Sequence, residues 1–247
     1  MRNILLKLEY DGSDFAGWQV QAAGRTAQGV VKENLERFLR HDVKLTGSGR
    51  TDSGVHASAQ YANFGTTVSL PTRNIRRKLN SMLPPDIVVL ACREVAASFD
   101  ARRSATSRRY RYVIAERPTA LKRRYSWVLG RRLDIDLLRE MAHYIVETEN
   151  FGNFCKTKSL KARNECKIYK ATWSRFGGAL MFEISANRFL HNMVRLLVGS
   201  MVAVCDGKLG IDCFKNMLEL KTIQKARYIA PACGLFLTAV SYERGIR

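Results

Sequence analysis

With 247 residues, 46% of them apolar and 26% charged, the chain is long enough to bury a sizeable core and too apolar to be a disordered tail. Lys and Arg number 41 against 22 Asp and Glu, and this net charge of +19 points to a polyanionic partner, nucleic acid above all. The longest apolar window, Phe189–Val204, is interrupted by His191, Asn192 and Arg195, and the N-terminal apolar run is too short for a signal peptide, so no membrane association is expected.

The predicted elements follow in chain order. Asn3–Glu9 alternates in part like a strand and leads into the loop "DGSDFAGWQVQ". Thr26 is placed to cap a helix through Arg40, with Val30, Val31, Leu35, Phe38 and Leu39 on one face. A strand over Val43–Thr46 enters the glycine-rich stretch "GSGRTDSGVHA", after which Tyr61–Thr67 is extended again. The run "PTRNIRRKLNSML" opens with proline and stops before Pro84-Pro85 as a helix does, and Ile87–Val95 returns as a strand.

A second series begins near residue 105. "RRYRYVIA" alternates as a half-buried strand, and Asp134 is placed to cap a helix carrying Ile135, Leu138, Met141 and Ile145. Strands over Tyr169–Trp173 and Leu180–Ser185 flank Gly177-Gly178, a hairpin signal. A long apolar helix from about Asn187 to Val204, a shorter one after Ile211 and a closing strand "GLFLTAVSY" complete the chain. The pattern predicts an α+β fold with largely antiparallel sheets in two similar halves, residues 1–104 and 105–247, sharing a basic cleft. The six cysteines are scattered without a C-x-x-C pair, so free thiols in a reducing cytoplasm are expected, with no disulfide framework and no metal site.

The glycine-rich stretch around Asp52 fails two familiar tests. A P-loop needs Gly-Lys-Ser/Thr, whereas Gly54 is followed by Val55-His56; a dinucleotide fingerprint needs a helix directly after the glycines, whereas "VHASAQYANF" is extended. "DGSDFAG" lacks the spacing and the terminal glutamate of a calcium loop. Asp52 is then either an Asx-turn residue or a positioned carboxylate. Arg195 lies within a helix apolar on nearly every face, where an arginine keeps its proton and is costly to bury alone. It either pairs with a carboxylate from another segment, with Asp52 the most interesting candidate, or forms a structural ion pair, or reaches solvent. A guanidinium beside a carboxylate keeps it ionised and oriented, ready to act as nucleophile or base.

Tyr110 and Tyr112 share one face of their strand, with Arg109 and Arg111 on the other. They are either a core pair with basic solvent-facing neighbours or a platform for an extruded base beside phosphate-binding arginines. The run "KTKSLKARNECK" adds a basic loop.

Taken together, "YDGSDFAGWQVQ", "GRTDSGVHA", "RRYRYVI", "ANRFLHNMVRLLVG" and "APACGLFLTAVSY" resemble, in order and over nearly the whole chain, the bacterial-type tRNA pseudouridine synthases acting on positions 38, 39 and 40 of the anticodon stem-loop. The resemblance implies that Asp52 is the catalytic aspartate and that Arg195 is the basic residue paired with it. It implies that Tyr110 stacks on the target uracil and that Arg50 fills the space left by the flipped nucleotide. Leu235 falls among the apolar residues that pack near the tyrosine. It further implies tRNA as partner, a homodimer, a cytoplasmic location and no cofactor or metal. In the implied reaction the C1′–N1 bond breaks, uracil rotates and C1′ bonds to C5; Asp52 attacks C1′, attacks C6 or abstracts the 2′ proton. The rival reading is a non-catalytic RNA-binding protein or chaperone with the same fold. One departure stands out: Asp100 in "FDAR" replaces a histidine common in the family, which puts any RNA contact of that histidine in doubt.

Overall fold

The structure is a computed structural model that describes residues 1–156, 164–221 and 224–243. The described residues form two compact units, those of Met1–Thr106 with Phe236–Arg247 and those of Ser107–Leu235. Each unit combines helices with a sheet that is mostly antiparallel, the α+β class expected.

In the first unit, β1 (Arg2–Tyr10) lies between β3 (His56–Thr66) and β4 (Ile87–Val95), antiparallel to both. A short β2 (Thr46–Gly47) pairs with β3, and β9 (Leu235–Tyr242) joins β3 in parallel through His56 opposite Phe236. Helix α1 (Ala27–Leu39) begins where predicted, because Thr26 Oγ1 accepts the Gly29 N–H at 3.2 Å. It buries Val31, Leu35 and Leu39, with Val30 and Phe38 half-buried beside them. Helix α2 (Thr72–Asn80) starts directly after Pro71, buries Ile75 and Leu79, and packs on β4.

Two strand predictions change here. Val43–Leu45 is not a strand, although Val43 and Leu45 are buried, because side chains take its backbone groups. Glu36 Oε1 accepts the Val43 N–H at 2.9 Å, and Gln28 Nε2 donates to the Leu45 carbonyl at 2.8 Å. The strand placed over Tyr61–Thr67 starts five residues earlier, at His56, inside the stretch "VHASAQYANF" already read as extended, and pairs with β1 on one side and β9 on the other.

In the second unit, β5 (Ala105–Ala115), β8 (Ala179–Ala186) and β7 (Ile168–Phe176) form an antiparallel sheet in that order, with β6 (Trp127–Val128) parallel to β5. Asp134 Oδ1 caps α3 (Ile135–Glu147) by accepting from the N–H groups of Asp136 and Leu137 at 2.9 and 3.1 Å. This helix buries Leu138, Met141 and Ile145 and packs on β7. Helix α4 (Met193–Cys205) is almost wholly buried, as its composition predicted, and α5 (Ile211–Leu218) packs against it.

The predicted start of α4 near Asn187 is too early. Asn187 extends the β7–β8 hairpin by exchanging hydrogen bonds with Lys167, and Asn192 adopts left-handed φ of 61° before the first helical bond forms. Residues 157–163 of the basic run "KTKSLKARNECK" lie outside the described residues. No helix among the described residues is long and apolar enough to cross a membrane.

Candidate active site

The turn that carries Asp52 is shaped by its backbone. Val55 N–H bonds the Asp52 carbonyl at 3.2 Å, closing a four-residue turn in which Gly54, at φ 77°, takes the position that requires a positive φ. The loop 11–18 is pressed against this turn. Trp18 N–H donates to the Thr51 carbonyl at 3.1 Å, and Gly54 N–H donates to the Phe15 carbonyl at 3.2 Å. A Cβ on Gly12 would overlap the Val55 carbonyl, so this glycine of "DGSDFAG" serves close backbone approach. The described residues hold no cluster of three or more His, Cys, Asp or Glu side chains fit to bind a metal ion.

Three further anchors fix the approach to Asp52. Tyr10, at the end of β1, shares a 2.7 Å hydrogen bond with Thr51 Oγ1, and burial pushes its phenol up to about 12. Gln60 is fully buried on β3; its Oε1 accepts from Ser48 Oγ at 2.6 Å and its Nε2 donates to the Gly49 carbonyl at 2.9 Å. His56 Nδ1 lies 3.0 Å from Gly12 N and 3.1 Å from Asp11 Oδ1, and its ring stacks on Phe236 at 4.7 Å. The ring nitrogen serves one of the two at a time: bare, it accepts from Gly12; protonated, it donates to Asp11. Asp52 itself is half-buried and the Arg50 beside it is exposed.

Sequence reasoning missed Tyr10, Ser48 and Gln60. The signal for Gln60 was a polar residue inside the extended stretch "VHASAQYANF".

Tyr110, Arg195 and Leu235 belong to the second unit. Tyr110 is 8% exposed, and its ring meets Phe189 edge-on at a centroid distance of 5.1 Å. Tyr112, on the same face of β5, is fully buried and donates to the Pro231 carbonyl at 2.7 Å, and burial raises its phenol as well. The two faces of β5 divide as expected, but Arg111 is bound to its cross-strand partner Glu183 at 2.7 Å and Arg108 donates to the Asn187 carbonyl. Those two arginines are tied to the β8 side of the sheet.

Arg195 sits in the first turn of α4, not its middle, and is half-buried. Its Nε donates to the Ala230 carbonyl at 2.9 Å and Nη1 reaches Asn192 Oδ1 at 3.3 Å. Ala230 N–H returns a bond to the Arg195 carbonyl at 3.0 Å, so the guanidinium is aimed by the 230 strap. A cation at a helix N-terminus adds to the positive end of the helix dipole, which makes this corner a place for an anionic group. Leu235, 5% exposed, opens β9 after the 3-10 turn Ala232–Gly234.

A family model described as tRNA pseudouridine synthase matches residues 8–102 and 141–243. A protein of Chlorobium chlorochromatii (strain CaD3) named tRNA pseudouridine synthase A is 39% identical over 243 residues, 98% of this chain and 100% of that protein. One of the same name from Chlorobium luteolum is 41% identical over 98% of this chain and 96% of its own length, and one from Thermoanaerobacter sp. (strain X514) is 37% identical over 98% and 100%. The chain belongs to the tRNA pseudouridine synthase family.

Proposed function

We propose that this protein isomerises uridine to pseudouridine in the anticodon stem-loop of tRNA, at positions 38, 39 and 40, working in the cytoplasm as a homodimer. The observation that carries the reading is the family match at both ends of the chain, joined to an aspartate held in a turn built by close backbone contact. In this reading Asp52 is the catalytic carboxylate. The Arg195 guanidinium keeps it ionised and oriented, and Tyr110 stacks on the extruded uracil in a basic cleft. Arg50 occupies the gap in the RNA stack, and Leu235 packs beside the tyrosine. The C1′–N1 bond breaks, the uracil turns within the pocket, C1′ bonds to C5, and the C5 hydrogen leaves as a proton while N1 gains one. The net change is an isomerisation, so no oxidant, reductant or hydrolytic water is consumed. Basic side chains hold phosphates and position the RNA without reading its sequence.

Tritium release from tRNA labelled at uracil C5 tests the assignment. The wild-type protein releases tritium, and Asp52→Asn is expected to fall to background while still binding tRNA. Undiminished release by this variant refutes the role of Asp52. Wild-type binding without any release identifies a silent RNA-binding protein. Arg195→Met is expected to cripple turnover, and a fully active, equally stable variant removes the proposed ion pair.

A further inference from the structure

A cavity of about 660 Å³ opens at the end of the first unit's sheet away from Asp52. Tyr10, bonded to Thr51, pairs with Ile87 at the start of β4, whereas the cavity is lined by Arg93 to Val95 at its end. Six to eight residues of strand separate the two places, about 20–26 Å. The cavity is therefore not part of the Asp52 turn.

Its wall is a built feature. Buried Asn3 donates through Nδ2 to the carbonyls of Ala96 and Phe99, both at 2.9 Å, and Asn63 Oδ1 accepts the Ala101 N–H at 2.8 Å. Asp100 Oδ1 then accepts the N–H groups of both Arg102 and Arg103 at 2.8 Å, and Ser104 N–H closes on the Asp100 carbonyl at 2.9 Å. Asp100 thus acts as the cap of its own turn. A histidine there has no carboxylate oxygen to accept both N–H groups. The turn presents Arg103 and Ser104 to the cavity, over a floor that includes Phe99 and Val95.

The electrostatics favour an anion. Among the described residues the exposed guanidinium of Arg103 has no hydrogen-bond or ion-pair partner. Ser104 Oγ accepts from the Asp100 N–H at 3.2 Å, which leaves its own proton to give. Of the two lining carboxylates, Glu94 is held by Arg2 at 2.8 Å, and Glu243 is the other acid in the lining beside Arg103. A cation and a hydroxyl donor beside an apolar floor match a phosphodiester with its attached ribose.

We propose that this cavity is a second tRNA subsite, binding a phosphate remote from the reacting uridine through Arg103 and Ser104, in a wall that Asp100 holds in place. The proposal rests on the reading of the protein as a tRNA-modifying enzyme. Arg103→Glu is expected to raise the KM for tRNA roughly three- to tenfold with little change in kcat, and to make the log–log salt dependence of tRNA binding shallower by about 1. Arg103→Lys should restore most of the affinity, and Glu243→Gln should tighten binding. A salt slope and KM unchanged by Arg103→Glu overturn the proposal. So does loss of uridine monophosphate binding in that variant with tRNA binding intact, since the cavity then serves a free nucleotide. Equilibrium binding is measured independently of turnover, so a wild-type protein that forms no pseudouridine defeats the functional reading without deciding the subsite.

Discussion

The hydroxyls of Tyr10 and Thr51 share a hydrogen bond of 2.7 Å that ties the end of β1 to the residue before Asp52. Both residues are buried, so the bond is shielded from water. With the phenol pushed up to about 12 by burial, it stays protonated throughout the assay range. Tyr10→Phe should leave the Thr51 hydroxyl without this partner and cost about 1–2 kcal/mol, read from urea denaturation. Turnover should fall further than stability alone explains, because the aspartate turn loses an anchor.

Gly12→Ala should be more severe for activity than for folding. The added methyl overlaps the Val55 carbonyl, so either the loop 11–18 or the Asp52 turn must shift. A displacement of about 1 Å at a reacting group costs on the order of 100-fold in rate. Single-turnover pseudouridine formation measures the loss, and a far-ultraviolet circular dichroism spectrum like the wild type's separates it from unfolding.

Gln60→Leu is expected to destabilise by about 2–3 kcal/mol, since it removes the acceptor used by the buried Ser48 hydroxyl and the donor to the Gly49 carbonyl in one step. Gln60→Glu loses the amide donor to Gly49 and places an ionisable carboxyl at a fully buried position, so it should destabilise at least as much at neutral pH. Thermal melts of the three proteins give the order.

Asp100→His should cost about 1 kcal/mol through loss of the two backbone caps, whereas Asp100→Asn retains Oδ1 and should melt like the wild type. The same ordering is expected in KM for tRNA, measured at one salt concentration.

Acid stability should depend on Glu116. Burial alone would push this carboxyl up, but its bonds to Arg175 at 2.8 and 2.9 Å and to the Leu133 N–H at 3.0 Å outweigh that and hold it below its ordinary value near 4.5. A carboxylate whose folded value is depressed contributes fully above its unfolded value and loses that contribution as pH falls through the folded one. Stability should therefore drop below about pH 4.5 in the wild type, and Glu116→Gln should flatten that limb while costing about 1–2 kcal/mol at neutral pH. Urea midpoints measured from pH 3 to pH 7 check both.

Local chemistry made much of this protein legible from its residues. Thr26 and Asp134 marked the starts of two helices because a short oxygen-bearing side chain satisfies the free N–H groups of a first turn wherever it occurs. Ile87–Val95 and the Gly177-Gly178 hairpin were likewise readable, and the order of motifs was enough to reveal the family. Val43–Leu45 misled because its backbone partners are Glu36 and Gln28, and nothing in the run itself encodes them.

What the tertiary structure alone decided is which distant groups meet. Gly12 against Val55, Tyr10 against Thr51 and Gln60 beneath Ser48 are contacts set by strand register and close packing. Pattern and composition determine what each segment is, since they act within a few residues. The surroundings of Asp52 depend on segments dozens of residues apart brought together by burial of a shared core, and no local rule carries that information.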